Sequence, residues 1–524
     1  MGNASHILTQ LSSFILTCQR THFNCFSYFL FPIFCFYVIF LSTLQNMSLT
    51  RQLAHNTVVQ IVGKIVSTFL GLVAIGMITR YLGQEQFGWY ITTMSFLQFI
   101  GILVDFGMIP VTAQMLSEPA FDKTKLFQNI FTFRFVTALV FLGLSPIAAL
   151  FFPYPAEVKM AIGFTTISFL SIALNQVFTG LYQTKLKMHI QVLSEIAGRI
   201  ALVAGLWLIM AGNLSFLWLM GAVTVASVMY TVLMAIEAHR LSPLRLSFDK
   251  TMWHAIAIKM WPIAISIIFN VVYLKGDLVL LSIMRPQAEV GIYGAAYRVI
   301  DILTQTAMLL MGVMLPLLAF AWSRNLKDQF RRYLQQSFDV MMILAIPMVA
   351  GLLVLARPIM VLVAGEEFAV SGVALQILAF AVFGVYLGGV FGHVAVAINK
   401  QKKTMWVYIS GAIMTLIGYL YFIPIYGMWG AAWMSVFSEL YVGLLLWLVI
   451  RTQSHEIIRL KTLGKVTFAS VVMGLVLWPL RSLPVMIPVV LGMVIYSVLL
   501  FATRAISPDT VREVLSRKSK VIGG

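Results

Sequence analysis

The chain has 524 residues, 60% of them hydrophobic and 10% charged, with a mean hydropathy of +0.92. Soluble proteins carry roughly 25% charged residues, so a water-soluble globule is excluded and many membrane spans of about 20 apolar residues are implied. The formal net charge of +17 would suggest nucleic acid in a soluble protein; here its meaning depends on which loops hold the cations.

Residues 1–46 form a front segment with a Phe-rich run, FNCFSYFLFPIFCFYVIFLSTL, and one charged residue, Arg20. All three cysteines, Cys18, Cys25 and Cys35, lie in it. No small-x-small cleavage site follows the apolar run, as a signal peptide requires. From Met47 the composition turns Gly-, Met- and Val-rich. We read Met47 as the functional start and residues 1–46 as an upstream extension. Mature N-terminal peptides from before Met47, seen by mass spectrometry, would overturn that reading. The cysteines therefore report little about redox compartment.

After Met47 the apolar runs divide into about fourteen spans. Their approximate limits are 56–79, 88–112, 127–151, 158–182, 189–211, 214–237, 254–283, 291–321, 336–356, 372–398, 404–424, 429–450, 465–480 and 484–503. Backbone groups in lipid must be hydrogen-bonded internally, so helices are expected. The alternation that a barrel needs is absent. One set of alternating loops holds about two dozen cations, from Arg51, Lys123 and Lys125 to Arg517, Lys518 and Lys520. The opposite set holds five: Arg80, Lys159, Arg285, Arg357 and Arg481. The positive-inside rule then puts both chain ends in the cytoplasm. The net charge is topology, and no nucleic-acid partner is expected.

A short pattern occurs twice. Gln84, Gly88 and Tyr90 return as Gln287, Gly291 and Tyr293, an offset of 203 residues. The offset maps spans 1 and 2 onto spans 7 and 8, and six spans is an even number, so both copies enter the membrane in the same direction. Such parallel repeats enclose midplane cavities in transporters. The expected fold is an all-α polytopic membrane protein of two six-helix lobes, 47–240 and 252–451. A polar linker, 241–251, joins the lobes, and 452–524 adds spans 13 and 14 with a basic cytoplasmic tail.

An ionisable group at bilayer depth costs roughly 2.5–3.5 kcal/mol on insertion scales, so each needs a reason. Lys64 in span 1 has Gln60, Ile61, Ser67 and Thr68 at helical spacing and no acid. It either faces an aqueous cavity or snorkels to the membrane edge. Arg134 in span 3 poses the same choice. Arg298 and Asp301 are three apart in span 8 and can pair on one helix face. Lys275 and Asp277 are two apart in span 7, so each needs another partner; Asp277 could meet Arg298. Glu195 and Arg199 have the spacing of a structural i,i+4 pair. His393 is read as a satisfied packing residue. Asp105, Asp277, Asp301 and Glu439 are the embedded acids that could carry a proton or bind a cation. Lys64, Arg134, Lys275 and Arg298 are the candidate anion ligands, since Arg offers paired planar donors and Lys a compact charge to phosphate.

Several segments are more specific. MITRYLGQEQFGWY (77–90), VDFGMIPVTAQ (104–114), KGDLVLLSIMRPQAEVGIYGAAYRVIDIL (275–303), GEEFAVSGVALQILAF (365–380) and PIYGMWGAAWMSVFSEL (424–440) together resemble the polysaccharide-exporter (Wzx-type) flippases. These belong to the multidrug/oligosaccharidyl-lipid/polysaccharide exporter (MOP) superfamily. The resemblance runs from about residue 56 to the end of span 12, and residues 1–46 have no counterpart in it. It implies a multi-pass protein of the bacterial inner membrane that moves undecaprenyl-pyrophosphate-linked oligosaccharide repeats to the outer leaflet. A proton or sodium gradient would drive alternating access, without a cofactor. A polysaccharide polymerase and a chain-length regulator would act in the same pathway, for O-antigen, capsule or exopolysaccharide. Lys64 stands where related flippases carry a basic residue in their first helix. Asp277 and Arg298 match recurring acidic and basic positions of helices seven and eight.

Two other classes compete. A cation or drug antiporter of the same superfamily would favour an acidic cavity, against which Lys64 and Arg134 speak. A membrane glycosyltransferase or glycan polymerase would show a substantial catalytic loop. The most acidic outward loop, AGEEFAVSG (364–372), offers Glu366 and Glu367 without His or Cys to hold a metal. No Walker loop, nucleophile elbow or CxxC pair is present, so neither ATP use nor enzymatic catalysis is expected.

Overall fold

The computed structural model describes residues 49–105, 108–117 and 122–505, except for the side chains of 49–58, 61, 102–105, 110, 113, 117 and 261–274. The readings of residues 1–46 and of the tail beyond 505 lie outside the described residues. Among the described residues every regular element is helical.

The first helix, α1 (Leu49–Asp105), runs 57 residues and breaks at Gly83, where φ is 66° and ψ is −175°. Spans 1 and 2 are thus two arms joined at one kinked residue, where a loop had been expected. A left-handed φ costs glycine nothing and most residues about 1–2 kcal/mol. There follow α2 (Met108–Ser117), α3 (Lys123–Gly143), α4 (Ser145–Leu150), α5 (Ala156–Thr184), α6 (Met188–Ala211) and α7 (Phe216–Leu241). The second half comprises α8 (Lys250–Met284), α9 (Gln287–Ser323), α10 (Lys327–Ala364), α11 (Ser371–Ala397), α12 (Gln401–Tyr426) and α13 (Met428–Ser454). The chain closes with α14 (Lys461–Leu477) and α15 (Met486–Ala502). Eleven helices are long and apolar enough to cross a membrane among the residues that could be tested. Around the perimeter, large apolar side chains such as Ile65, Trp207, Leu475 and Val498 are exposed, as lipid contact requires.

Helix ends follow local chemistry. Asp122 caps α3 by accepting from Lys125 N at 2.8 Å, and Asp249 caps α8 by accepting from Thr251 N at 2.9 Å. The polar linker before α8 is pinned to α3: Asp249 N donates to Asn129 at 2.8 Å, and Ser247 N to Thr132 at 2.8 Å. α14 and α15 lean on α10 through Leu355, Val466, Met473 and Tyr496, and the Tyr496 hydroxyl donates to Ile343 O at 2.6 Å.

The repeated pattern has a structural explanation. α1 and α9 cross at Gly88 and Gly291. A methyl added at Gly88 would lie 1.8 Å from Gln287 O, and one at Gly291 would lie 2.0 Å from Gln84 O. Each copy of the pattern therefore rests its glycine on the backbone of the other, a reciprocal contact that only two similar segments can make. Thr92 extends it by donating to Gln287 Oε1 at 2.5 Å, and Gly294 sits against Ile91.

Candidate substrate cavity

The crossing lies at the end of the molecule that carries few cations. Other contacts between the halves cluster there. Arg80, in the first arm of α1, donates to the α10 carbonyls of Leu362 (2.6 Å), Val363 (3.2 Å) and Val361 (3.4 Å). Gln84 donates to Glu367 O, Phe87 packs edge-on to Phe368, and Tyr154 shares a hydrogen bond with Ser282 at 3.1 Å. At the cation-rich end the linker and the start of α8 join the halves, through Gln128 donating to Pro243 O at 3.0 Å and Asp249 N donating to Asn129.

On the cation-rich side of the crossing a cavity of about 520 Å³ opens between α1, α6, α8, α9 and α13. Lys64, Arg199, Lys275 and Arg298 line it, together with Glu195, Asp301 and Glu439. A second cavity of about 520 Å³ reaches into the first half and shares Tyr90, Gln98, Glu195, Arg199 and Arg298 with the first. Its own wall carries Arg134, Gln176, Ser168, Ser227 and Tyr230. Both cavities are thus charged, and the second adds the neutral polar groups of Gln176, Ser168, Ser227 and Tyr230 to Arg134 and the shared Glu195, Arg199 and Arg298.

The sequence-predicted residues divide as follows. Lys64 lines the first cavity. Among the described residues neither it nor Arg199 has an acidic partner within ion-pair distance. Arg134 does not snorkel: it is 1% exposed and donates to Ala173 O at 3.1 Å and to Gln176. That pairing orients it beside the second cavity. Lys275 binds Asp301 at 2.7 Å and lies 4.3 Å from the Tyr297 ring centre. Arg298 stands 3.8 Å from the other oxygen of Asp301. The span-8 pair is real, but Lys275 is the closer partner.

Two expectations are corrected. Asp277 does not meet Arg298; it is fully buried and accepts from the Tyr293 hydroxyl at 2.6 Å and Ser435 at 3.2 Å. Ser435 in turn shares a hydrogen bond with Tyr419 at 3.0 Å. Glu195 and Arg199 form no ion pair among the described residues, because Glu195 accepts from Ser67 of α1 at 2.6 Å. Arg199 instead reaches toward Gly71 in the cavity wall. Glu439, next to this network on α13, lines the cavity at 8% exposure. The side chain of Asp105 lies outside the described residues. His393 is satisfied by Gly389 O at 2.7 Å, as a packing residue should be.

Sequence reasoning missed Arg199 and Glu195 as cavity residues, and Tyr293, Ser435 and Tyr419 as partners of Asp277. Local spacing misdirected the first pair: an acid four residues from a base looks self-sufficient, whereas the partner of Glu195 is 128 residues away in sequence. No group of three or more His, Cys, Asp or Glu is placed to hold a metal among the described residues.

Residues 53–322 match the family described as "Polysaccharide biosynthesis protein", and residues 262–422 the family described as "MatE". Among solved structures, one of the lipid II flippase MurJ in an inward closed conformation superposes with a TM-score of 0.72 at 16% identity. It covers 87% of this chain and 99% of that one. An inward-facing multidrug resistance MATE transporter gives 0.63 at 13% identity, covering 74% and 94%. An outward-facing one gives 0.53 at 14% identity, covering 77% and 95%. No curated protein matches the sequence. The apolar helices define a multi-pass membrane protein, with the fold of these flippase and transporter structures. The chain belongs to the polysaccharide biosynthesis protein family, whose pattern spans more than half of its length.

Proposed function

We propose that this protein flips undecaprenyl-pyrophosphate-linked oligosaccharide repeats from the cytoplasmic to the outer leaflet of a bacterial inner membrane. The carrying observation is the cavity between the halves, lined by Lys64 and Arg199, neither of which has an acidic partner within ion-pair distance among the described residues. A pyrophosphate is the ligand that such cations suit, because charge-assisted hydrogen bonds to phosphate are about twice as strong as neutral ones. The adjoining cavity, with Gln98, Gln176, Ser168 and Ser227, offers amide and hydroxyl partners to sugar hydroxyls. The polyprenyl chain stays in lipid.

In this reading the chain has fourteen spans with both ends cytoplasmic, and residues 47–240 and 252–451 rock against each other. The cation-poor end is outward, so the crossing at Gly88 and Gly291 is the outward gate, closed here. The nearer match to the inward-facing MATE transporter than to the outward-facing one supports that state. Asp277, Glu439 and Asp105 are the acids through which a proton or sodium ion would bias the cycle. One charge crossing the membrane potential is worth about 2.3 kcal/mol per 100 mV. A polymerase and a chain-length regulator would use the product, whether O-antigen, capsule or exopolysaccharide.

Export of a cationic small molecule is the second reading, favoured by the buried Asp277 beside Glu439. Deletion followed by lipid analysis separates the two. Complete lipid-linked repeats should accumulate in the cytoplasmic leaflet. Shortened repeats would indicate a synthetic enzyme, and an unchanged lipid pool with increased sensitivity to cationic drugs would indicate the exporter.

A further inference from the structure

Two cations share a single carboxylate in the cavity wall. Lys275 Nζ is 2.7 Å from one oxygen of Asp301, and Arg298 Nη1 is 3.8 Å from the other. All three side chains are partly exposed, at 20%, 33% and 29%, so they face the cavity and not the helix-packed core. Asp301 and Arg298 lie three apart on α9 and stay within reach of each other whatever the halves do. Lys275 comes from α8, and the aromatic face of Tyr297 supports it from beneath.

We infer that Asp301 is an exchange ligand: it occupies Lys275 and Arg298 in the empty cavity, gives them up to the pyrophosphate, and retakes them when the substrate leaves. The inference rests on the proposed substrate and adds a residue whose role is to limit affinity. A lysine has three N–H donors and an arginine five, and one carboxylate cannot satisfy them all. A diphosphate offers more acceptor oxygens and more negative charge, so it displaces the carboxylate. Departure of the diphosphate would otherwise strand two partly desolvated cations, a costly state. Asp301 removes that penalty at the moment of release. Lys64 and Arg199 have no such carboxylate among the described residues and would hold the anion without that competition. Asp301 thereby sets how tightly this carrier grips a substrate that it must also release.

The test is binding of undecaprenyl pyrophosphate to the full chain in lipid nanodiscs, with surface glycan measured in parallel. Asp301→Asn keeps an acceptor for Lys275 and removes the competing charge. It should bind about tenfold more tightly, a change of about 1.4 kcal/mol, and should export less glycan because release slows. Asp301→Glu should restore wild-type affinity and export. Equal or weaker binding by Asp301→Asn overturns the inference, because a purely structural role for Asp301 can only lower affinity. Should the asparagine variant not fold, Asp301→Ser carries the same expectation. A wild-type protein that does not bind undecaprenyl pyrophosphate refutes the proposed substrate itself, a result distinct from a wild type that binds and a variant that does not tighten.

Discussion

Gly88→Ala tests whether the α1–α9 crossing closes one end of the cavity. The added methyl would sit 1.8 Å from Gln287 O, 2.6 Å from its carbonyl carbon and 3.2 Å from its Cα, whereas ordinary contact begins near 3.4 Å. All three atoms are backbone, so no side chain can turn aside and the two helices must separate. Overpacking of this kind costs about 1–3 kcal/mol. The cost falls only on the closed state, since opening parts the two helices. Alanine also gains up to about 1 kcal/mol over glycine as a helix residue, but in both states, so that gain cancels. The open-to-closed ratio should therefore rise about 5–150-fold. Ile91 reports on it, being 1% exposed and packed beneath Gly294 of the other half. With Cys18, Cys25 and Cys35 replaced by serine, an Ile91→Cys probe should react slowly with a membrane-impermeant maleimide added outside. On the Gly88→Ala background it should react faster by the stated factor. Labelling at the unmodified rate, in a protein that still melts cooperatively, would show that the crossing is not the gate.

Gly291→Ala meets Gln84 O at 2.0 Å and should act in the same direction; the double variant should fall short of the sum, because both methyls open one seam. Arg80→Ala removes the hydrogen bonds to Val361, Leu362 and Val363 and should speed the same labelling more modestly, since these contacts are exposed to solvent and screened. Lys64→Ala and Arg298→Ala should each lower undecaprenyl-pyrophosphate affinity about tenfold, within the range for a charged hydrogen bond. Surface glycan should fall while the amount of protein in the membrane stays constant. Normal glycan from both would remove these residues from the mechanism. Asp277→Asn keeps an acceptor for Tyr293 and Ser435 and should abolish stimulation of transport by an imposed proton or sodium gradient in vesicles. Stimulation that survives would place coupling elsewhere.

The membrane class and the helices were legible because each depends on one local quantity. Twenty apolar residues with no backbone partner in lipid have one outcome, a helix. The kink at Gly83 was not legible, since glycine there satisfies both a loop and a continuous helix with one left-handed residue. The length of α10 was underestimated as well: the expected span was 336–356, whereas the helix runs from Lys327 to Ala364 and continues through Pro347 and Pro358. Neighbouring helices and local adjustment in membrane proteins can satisfy the backbone groups that proline frees.

The cavity was legible where a charge had no local explanation, and illegible where it had a false one. Lys64 has no acid at helical spacing, so the sequence forces a long-range role for it, and the structure supplies the cavity. Arg199 has Glu195 one turn away, and the apparent pair hid both residues. Ser67 takes Glu195 from a helix far off in sequence, which leaves the guanidinium to face the cavity. The repeat shows the same limit from the other side. Gln84, Gly88 and Tyr90 announce a second copy at Gln287, Gly291 and Tyr293, but nothing in the sequence says that the two copies touch. A reciprocal contact between similar segments favours a rocking cycle physically. Each glycine admits the other helix's backbone, so the seam closes without burying unpaired charge and can part without stranding one. The two jobs are separated in space: two glycines meet at the crossing that closes one end, and Lys64, Arg199, Lys275 and Arg298 lie in the cavity, where a substrate can satisfy them.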